Sequence, residues 1–263
     1  MPERAMPEDR RSRAASPAAE ALPGKRRALV QVLGAVAYGE LKAYNGARER
    51  AADAPSEGER KVWKTIAAEE LRHHKGFVRR LGALGADPER AMRPYRSSLD
   101  HYHGLPGEDD EVAGAVCDLL GEGIAADLLA WLRKVADPDT AAFIDTVIAD
   151  EVGHEARAAV EVKRLIADYP DGRRRASRGA ARMLTRMARS GPASGPSFLA
   201  FLALGRPHEL VSALAAGYLR RLEMIGVGPL ATIERVDLLG IMPRIVSAGI
   251  GPLSVRRGTD RAA

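Results

Sequence analysis

Apolar residues recur every three to four positions in four long runs between residues 25 and 168, the period of helices that turn one face to a core. The first run, about Lys25 to Arg50, carries Leu29, Val32, Leu33, Val36 and Tyr44 on its stripe. Ser56 followed by Glu59 forms a capping box, so a second helix starts there and reaches about Gly82 with Trp63, Ile66, Phe77 and Leu81 in line. A third, about Asp110 to Ala136, aligns Ala115, Leu119 and Ala126. Asp137-Pro138 caps a fourth, which continues to about Asp168 with Ile144, Val147, Ala158, Val162 and Leu165. Between the second and third, residues 85–108 hold Pro88, Pro94, Pro106 and several glycines and predict a long irregular crossover. A helix of about 25 residues is roughly 37 Å long, and a connection of this length can run back along it. The pattern therefore predicts an all-α four-helix bundle with one long crossover, the topology of ferritin-like folds.

Each stripe is interrupted where a leucine is expected. Glu40 stands in line on the first helix, and Glu70 and His73 on the second. Glu122 stands in line on the third, and Glu151 and His154 on the fourth. A glutamate and a histidine three positions apart share a helix face and can grip one ion together. The same set thus occurs twice, offset by about 81 residues: a glutamate, then Glu-x-x-His after thirty positions in one copy and twenty-nine in the other. Four uncompensated carboxylates in a core would each cost several kcal/mol, and two divalent cations carry the charge that cancels them. The spacing predicts a dinuclear metal site with Glu40, Glu70, His73, Glu122, Glu151 and His154 as ligands. Asp118, one turn before Glu122, is the substitute ligand if the third helix is read one turn off.

Around these six, Glu69 and Asp150 each precede a ligand glutamate and are placed to hydrogen-bond the histidine across the site. Tyr44 lies one turn after Glu40, as a pocket wall, a redox-active neighbour or core packing. Gly39, Gly121, Gly123 and Gly153 adjoin the ligands and suggest open space or a helix bulge beside the metals. His74 points about 100° away from His73 and is read as supporting the site or facing solvent. His101 and His103 in the crossover lack carboxylate support and read as surface residues, and His208 has no evident partner.

The remainder of the chain is less regular. Residues 1–24 read as a disordered tail, 25–226 as the metal-binding helical domain with extra C-terminal helices, and 227–263 as an extension without assignment. Further helices are expected over 169–226 with a break at 191–196, the last one turning Leu210, Leu214, Tyr218, Leu219 and Leu222 to one side. Of 263 residues 46% are hydrophobic, enough for one sizeable core. The single cysteine, Cys117, excludes an internal disulfide and a Cys-x-x-Cys knuckle; it reads as a core residue of a cytoplasmic protein. No apolar leader and no run of eighteen apolar residues is seen, so no membrane span is expected. Net charge is +5, and Arg175, Arg178, Arg182, Arg186 and Arg189 recur at three and four positions as a face that could meet phosphates. No aromatic residue interleaves it for base stacking.

Four segments carry a family resemblance: Tyr38-Gly39-Glu40-Leu41, Ala68-Glu69-Glu70-Leu71-Arg72-His73, Gly121-Glu122-Gly123-Ile124-Ala125-Ala126-Asp127 and Asp150-Glu151-Val152-Gly153-His154. They resemble the actinobacterial branch of proteins similar to the tRNA methylthio-isopentenyl-adenosine hydroxylase, over roughly residues 25–226. The resemblance implies a non-heme di-iron centre on the six residues above, with manganese an alternative at one position, and dioxygen as cosubstrate. It also implies an external electron donor and a monomeric or dimeric protein. The expected activity is an oxygen-dependent hydroxylation of a modified tRNA base or a small metabolite. A ferritin- or bacterioferritin-like ferroxidase shares the symmetric ligand set and is the alternative, and a silent bundle using its arginine face for binding is a third reading. A peroxidase of the rubrerythrin kind is excluded by the missing cysteine pairs.

Overall fold

The computed structural model describes residues 24–103, 110–190 and 196–228, apart from the side chains of residue 102, residues 186–190 and residues 196–198. Among these residues every regular element is helical. The four predicted helices are α1 (Gly24–Asp53), α2 (Glu57–Ala83), α5 (Glu111–Val135) and α6 (Pro138–Asp168). Their starts follow from local chemistry. Ser56 accepts from the Glu59 amide at 3.1 Å, Asp110 from Val112 and Ala113, and Asp137 from Thr140, so each first turn has a partner for an amide the helix leaves unpaired.

α1 packs on α2 and α5 on α6 as two antiparallel hairpins. Arg50 near the end of α1 pairs with Asp118 near the start of α5, while Arg80 near the end of α2 pairs with Asp137 at the start of α6. α2 and α5 therefore run the same way, and the chain between them must travel back along the bundle. It does so with regular structure where an irregular crossover was expected. α3 (Pro88–Met92), a 3₁₀ turn (Arg93–Tyr95) and α4 (Arg96–His103) occupy most of it. Proline explains the difference: Pro88 stands in the first turn of α3 behind the capping Asp87, where its missing amide costs nothing. The crossover lies so close to α1 that a Cβ on Gly34 would come 2.3 Å from the Ala91 carbonyl oxygen. Tyr38 donates to Asp100 at 2.7 Å and ties α4 down beside it.

Three more helices, α7 (Gly172–Ser190), α8 (Pro196–Leu204) and α9 (Pro207–Met224), cover the bundle. α7 and α9 lie on α5, and α8 on α1. The apolar interior has two main parts. One gathers Leu33, Phe77, Leu81, Leu132, Ile144 and Val147 from the four long helices. The other joins Val116, Leu120, Val162, Met183 and Leu222 from α5, α6, α7 and α9, with Cys117 buried among them. On α9, Leu210 and Leu222 are buried as expected, but Leu219 is 47% exposed because the helix turns Gly217 and Arg221 to the bundle in its place. No described helix is long and apolar enough to cross a membrane. The tail to residue 23, nearly all of the 227–263 extension and the break at 191–195 lie outside the described residues.

Candidate metal centre

The six residues read from the spacing come together halfway along the four long helices. Glu40, Glu70, His73 and Glu151 each offer one ligand atom within 4.8 Å of the others, and so do Glu70, Glu122, Glu151 and His154. Glu70 and Glu151 belong to both groups, so two carboxylates sit between two sites, each with one histidine and one further glutamate. Glu40, Glu70, His73, Glu151 and His154 are buried, and Glu122 is partly so. Asp118 does not enter; it is exposed and paired with Arg50 at 2.7 Å.

Each imidazole is held from behind. His73 Nε2 lies 2.9 Å from Asp150 Oδ2, and His154 Nε2 lies 2.9 Å from Glu69 Oε2. A carboxylate accepts from an N–H, which leaves the lone pair on Nδ1 of each ring facing inward. Those two inward atoms are buried without a hydrogen-bond partner. His73 Nδ1 stands 3.4 Å from Glu40, 3.7 Å from Glu70 and 3.5 Å from Glu151. His154 Nδ1 stands 3.3 Å from Glu70 and 3.5 Å from Glu151. A nitrogen lone pair opposite several carboxylate oxygens at these separations fits a cation between them, and the donor set of two imidazoles and four carboxylates suits iron or manganese.

Without a cation the cluster keeps protons. Burial alone would lower both imidazole pKa values, yet contact with Glu40 and Glu70 lifts His73 to about 10, and contact with Glu151, Glu70 and Glu69 lifts His154 to about 11. Burial, reinforced by Glu151 and Glu70, pushes Glu122 up to about 7. It pushes Glu40 well above the usual carboxylate range. For Glu70 burial acts upward too, but the two histidines outweigh it and hold that carboxyl low.

The other sequence-derived residues are placed plainly. Tyr44 packs with Trp63, Ile66 and Ala47 in a small apolar cluster between α1 and α2. His74 donates to the Ala37 carbonyl at 2.7 Å, so it links α2 to α1, a role not expected from its angle to His73. His101 and His103 are exposed on α4, and His208 is exposed on α9. α1, α5 and α6 run unbroken through Gly39, Gly121, Gly123 and Gly153, so no helix bulge forms there. A Cβ would meet nothing within 4 Å at Gly39 and Gly153, whereas at Gly123 it would lie 1.9 Å from Arg221 Nε. Arg175 pairs with Asp171 at 2.8 Å and lies 3.9 Å from Asp110, and Arg178 lies 3.4 Å from Asp110. Arg182 is exposed; the side chains of Arg186 and Arg189 are outside the described residues.

Sequence reading missed one buried arrangement beside the cluster. Arg221 of α9, only 4% exposed, reaches Asp127 of α5 at 2.7 Å and Glu155 of α6 at 2.8 Å. Asp127 lies five positions after Glu122 and Glu155 directly follows His154, so this ion triad joins the two ligand helices next to their ligands. The available signal was Asp127 between the apolar residues Ala126 and Leu128 of α5; its partner on a distant helix had no sequence mark.

A helical bundle with two imidazoles among four converging carboxylates defines a ferritin-like protein with a carboxylate–histidine cluster. The chain belongs to the family described as "Ferritin-like domain, actinomycetes", matched over residues 24–190. Among solved structures it is similar to "Protein 19 with aldehyde deformylating oxidase activity from Synechococcus", at 19% identity and a TM-score of 0.65, covering 81% of this chain and 95% of that one. At that identity the likeness speaks for the fold. No curated protein matches the chain.

Proposed function

We propose that this protein is a non-heme di-iron oxygenase that hydroxylates a small organic substrate, with Glu40, Glu70, His73, Glu122, Glu151 and His154 as the iron ligands. The observation that carries the reading is the pair of buried, unpartnered Nδ1 atoms turned toward the shared Glu70 and Glu151. A bound iron pair supplies the electrons that reduce dioxygen, and the balance with substrate is RH + O₂ + 2e⁻ + 2H⁺ → ROH + H₂O. The chain's own residues do the rest. Asp150 and Glu69 hold the proton on the outer nitrogen of each ring and so keep the inner lone pairs aimed. Glu70 and Glu151, common to both groups of ligand atoms, would help to hold both ions. Arg221 clamps α5 to α6 beside the centre and so fixes the spacing of their ligands.

A solved neighbour with aldehyde deformylating oxidase activity supports oxygen chemistry in this fold. The resemblance to the tRNA hydroxylase-like branch offers a modified tRNA base as the other substrate class, but Arg175 and Arg178 spend charge on Asp110 and Asp171, which weakens the phosphate face and favours a small molecule. Metal analysis after anaerobic loading with ferrous iron, followed by oxygen uptake with a chemical reductant, tests the proposal. Two irons per chain and reductant-dependent uptake are expected, with both lost in Glu122→Ala. Protein that stays empty, or a Glu122→Ala variant that loads and consumes oxygen normally, overturns it. Stored ferric mineral in a many-subunit cage would replace it with ferroxidase function.

A further inference from the structure

The outer face of α2 carries positive charge that the metal cluster does not use. Lys61, Lys64, Arg72, Lys75 and Arg79 are all exposed, and at 100° per residue they fall along one side of the helix. The row is about 27 Å long at 1.5 Å per residue. Lys61, Lys64, Lys75 and Arg79 make no ion pair among the described residues. Between them the same side presents Thr65 and Ala68, small and exposed, which leaves a flat surface.

The middle of this row is also a short route inward. Arg72, its side chain 56% exposed, donates to Asp150 Oδ2 at 2.5 Å. The same oxygen lies 2.9 Å from His73 Nε2, on a ring that is 1% exposed and faces Glu40 with its other nitrogen. From solvent to the cluster the path is a guanidinium, a carboxylate and one imidazole. Three positions earlier, on the same α6-facing flank of α2, Glu69, 26% exposed, stands over His154 in the same way.

We propose that this face of α2 docks an acidic one-electron carrier protein, and that electrons enter by Arg72, Asp150 and His73. The inference rests on the di-iron reading above, because the hydroxylation there takes up two electrons per turnover that the substrate does not provide; two encounters with a one-electron donor supply them, each oxidising one carrier. Charge complementarity selects an acidic partner and speeds the encounter. A nucleic acid would also be drawn to the row, but no aromatic side chain stands on it to stack a base, and only an electron carrier gains from lying over His73.

The experiment uses the full chain, with and without iron, and a purified acidic [2Fe–2S] ferredoxin as probe. Binding followed by fluorescence anisotropy should weaken with rising salt, and the variant K64E/K75E/R79E should weaken it by about tenfold or more. The same variant should slow reduction of the loaded protein by ferredoxin and leave reduction by dithionite unchanged. Carbodiimide cross-links should join Lys64 and Lys75 to ferredoxin carboxylates. Equal binding by wild type and variant overturns the proposal, as does protection of these lysines by tRNA in place of ferredoxin. The binding arm needs no metal, so failure to load iron sinks the preceding reading, whereas a loaded centre indifferent to the charge reversal sinks this one alone.

Discussion

The inner nitrogens of His73 and His154 can take a proton or a metal ion, and the surrounding carboxylates favour either. With their pKa values raised to about 10 and about 11, both rings are protonated at pH 7.5 when no cation is present. A metal needs the neutral ring, so binding must expel those protons and strengthens as pH rises toward the histidine values. Calorimetry of ferrous or zinc uptake at pH 7.5 in buffers of different ionisation enthalpy should report release of at least the two imidazole protons per chain, to which the raised Glu40 and Glu122 carboxyls can add, and the affinity should fall as pH is lowered from 8 to about 6, through the Glu122 value of about 7. Uptake without proton release would mean that the imidazoles are not ligands. Asp150 and Glu69 act on the same rings from outside, through Nε2. Replacing either with alanine frees a ring to rotate and should weaken metal binding by about 10- to 100-fold, read by competition with a chelator, with circular dichroism unchanged.

Among the elements, α9 has the strongest hold on the site helices. Arg221 is buried against Asp127 and Glu155, and breaking such a pair by removing one partner costs about 3–5 kcal/mol, since Glu155 then loses its Arg221 partner and Asp127 keeps only the exposed Arg220 at 3.5 Å. Arg221→Ala should lower the denaturation midpoint accordingly. Replacing Arg221, Asp127 and Glu155 together with apolar residues of similar volume should recover much of that loss, because none of the three charges then remains. The glycines on α5 and α9 explain why the arginine fits. A Cβ at Gly123 would overlap its Nε, and one at Gly217 would lie 1.8 Å from Asp127 Oδ2. The same reasoning assigns Gly76 to packing, where a Cβ would lie 2.0 Å from the Phe143 ring that stacks edge-on against Phe77 at 4.9 Å.

For the whole molecule, a core that draws four carboxylates together is stabilised by whatever neutralises them. A ligand that binds only the folded chain adds RT ln(1 + [L]/Kd), about 4 kcal/mol at a thousandfold excess over Kd. Thermal unfolding of the iron- or zinc-loaded protein should therefore occur several degrees higher than that of chelator-treated protein, and the difference should vanish in Glu122→Ala. An equal midpoint with and without metal would contradict the cluster as a metal site. The paired hairpins make this coupling global: α2 and α6 each bring a Glu-x-x-His set, α1 and α5 one glutamate each, so a cation pair would bridge all four long helices.

Periodicity alone determined the four long helices, to within a few residues at each end, because a 3.6-residue apolar stripe and local capping groups such as Ser56 and Asp137 are properties of neighbouring positions. It also marked which polar residues face inward, since Glu40, Glu70 and Glu151 stand where an apolar side chain was due. Tertiary structure decided the rest. The crossover folds into α3 and α4 by packing on α1 at Gly34; Asp118 turns out to Arg50; Tyr44 joins Trp63; His74 bonds to α1. Arg221 meets Asp127 across ninety-four positions of sequence. Each of these depends on which surface lies opposite, and a one-dimensional pattern holds the period of a face but not the identity of its neighbour.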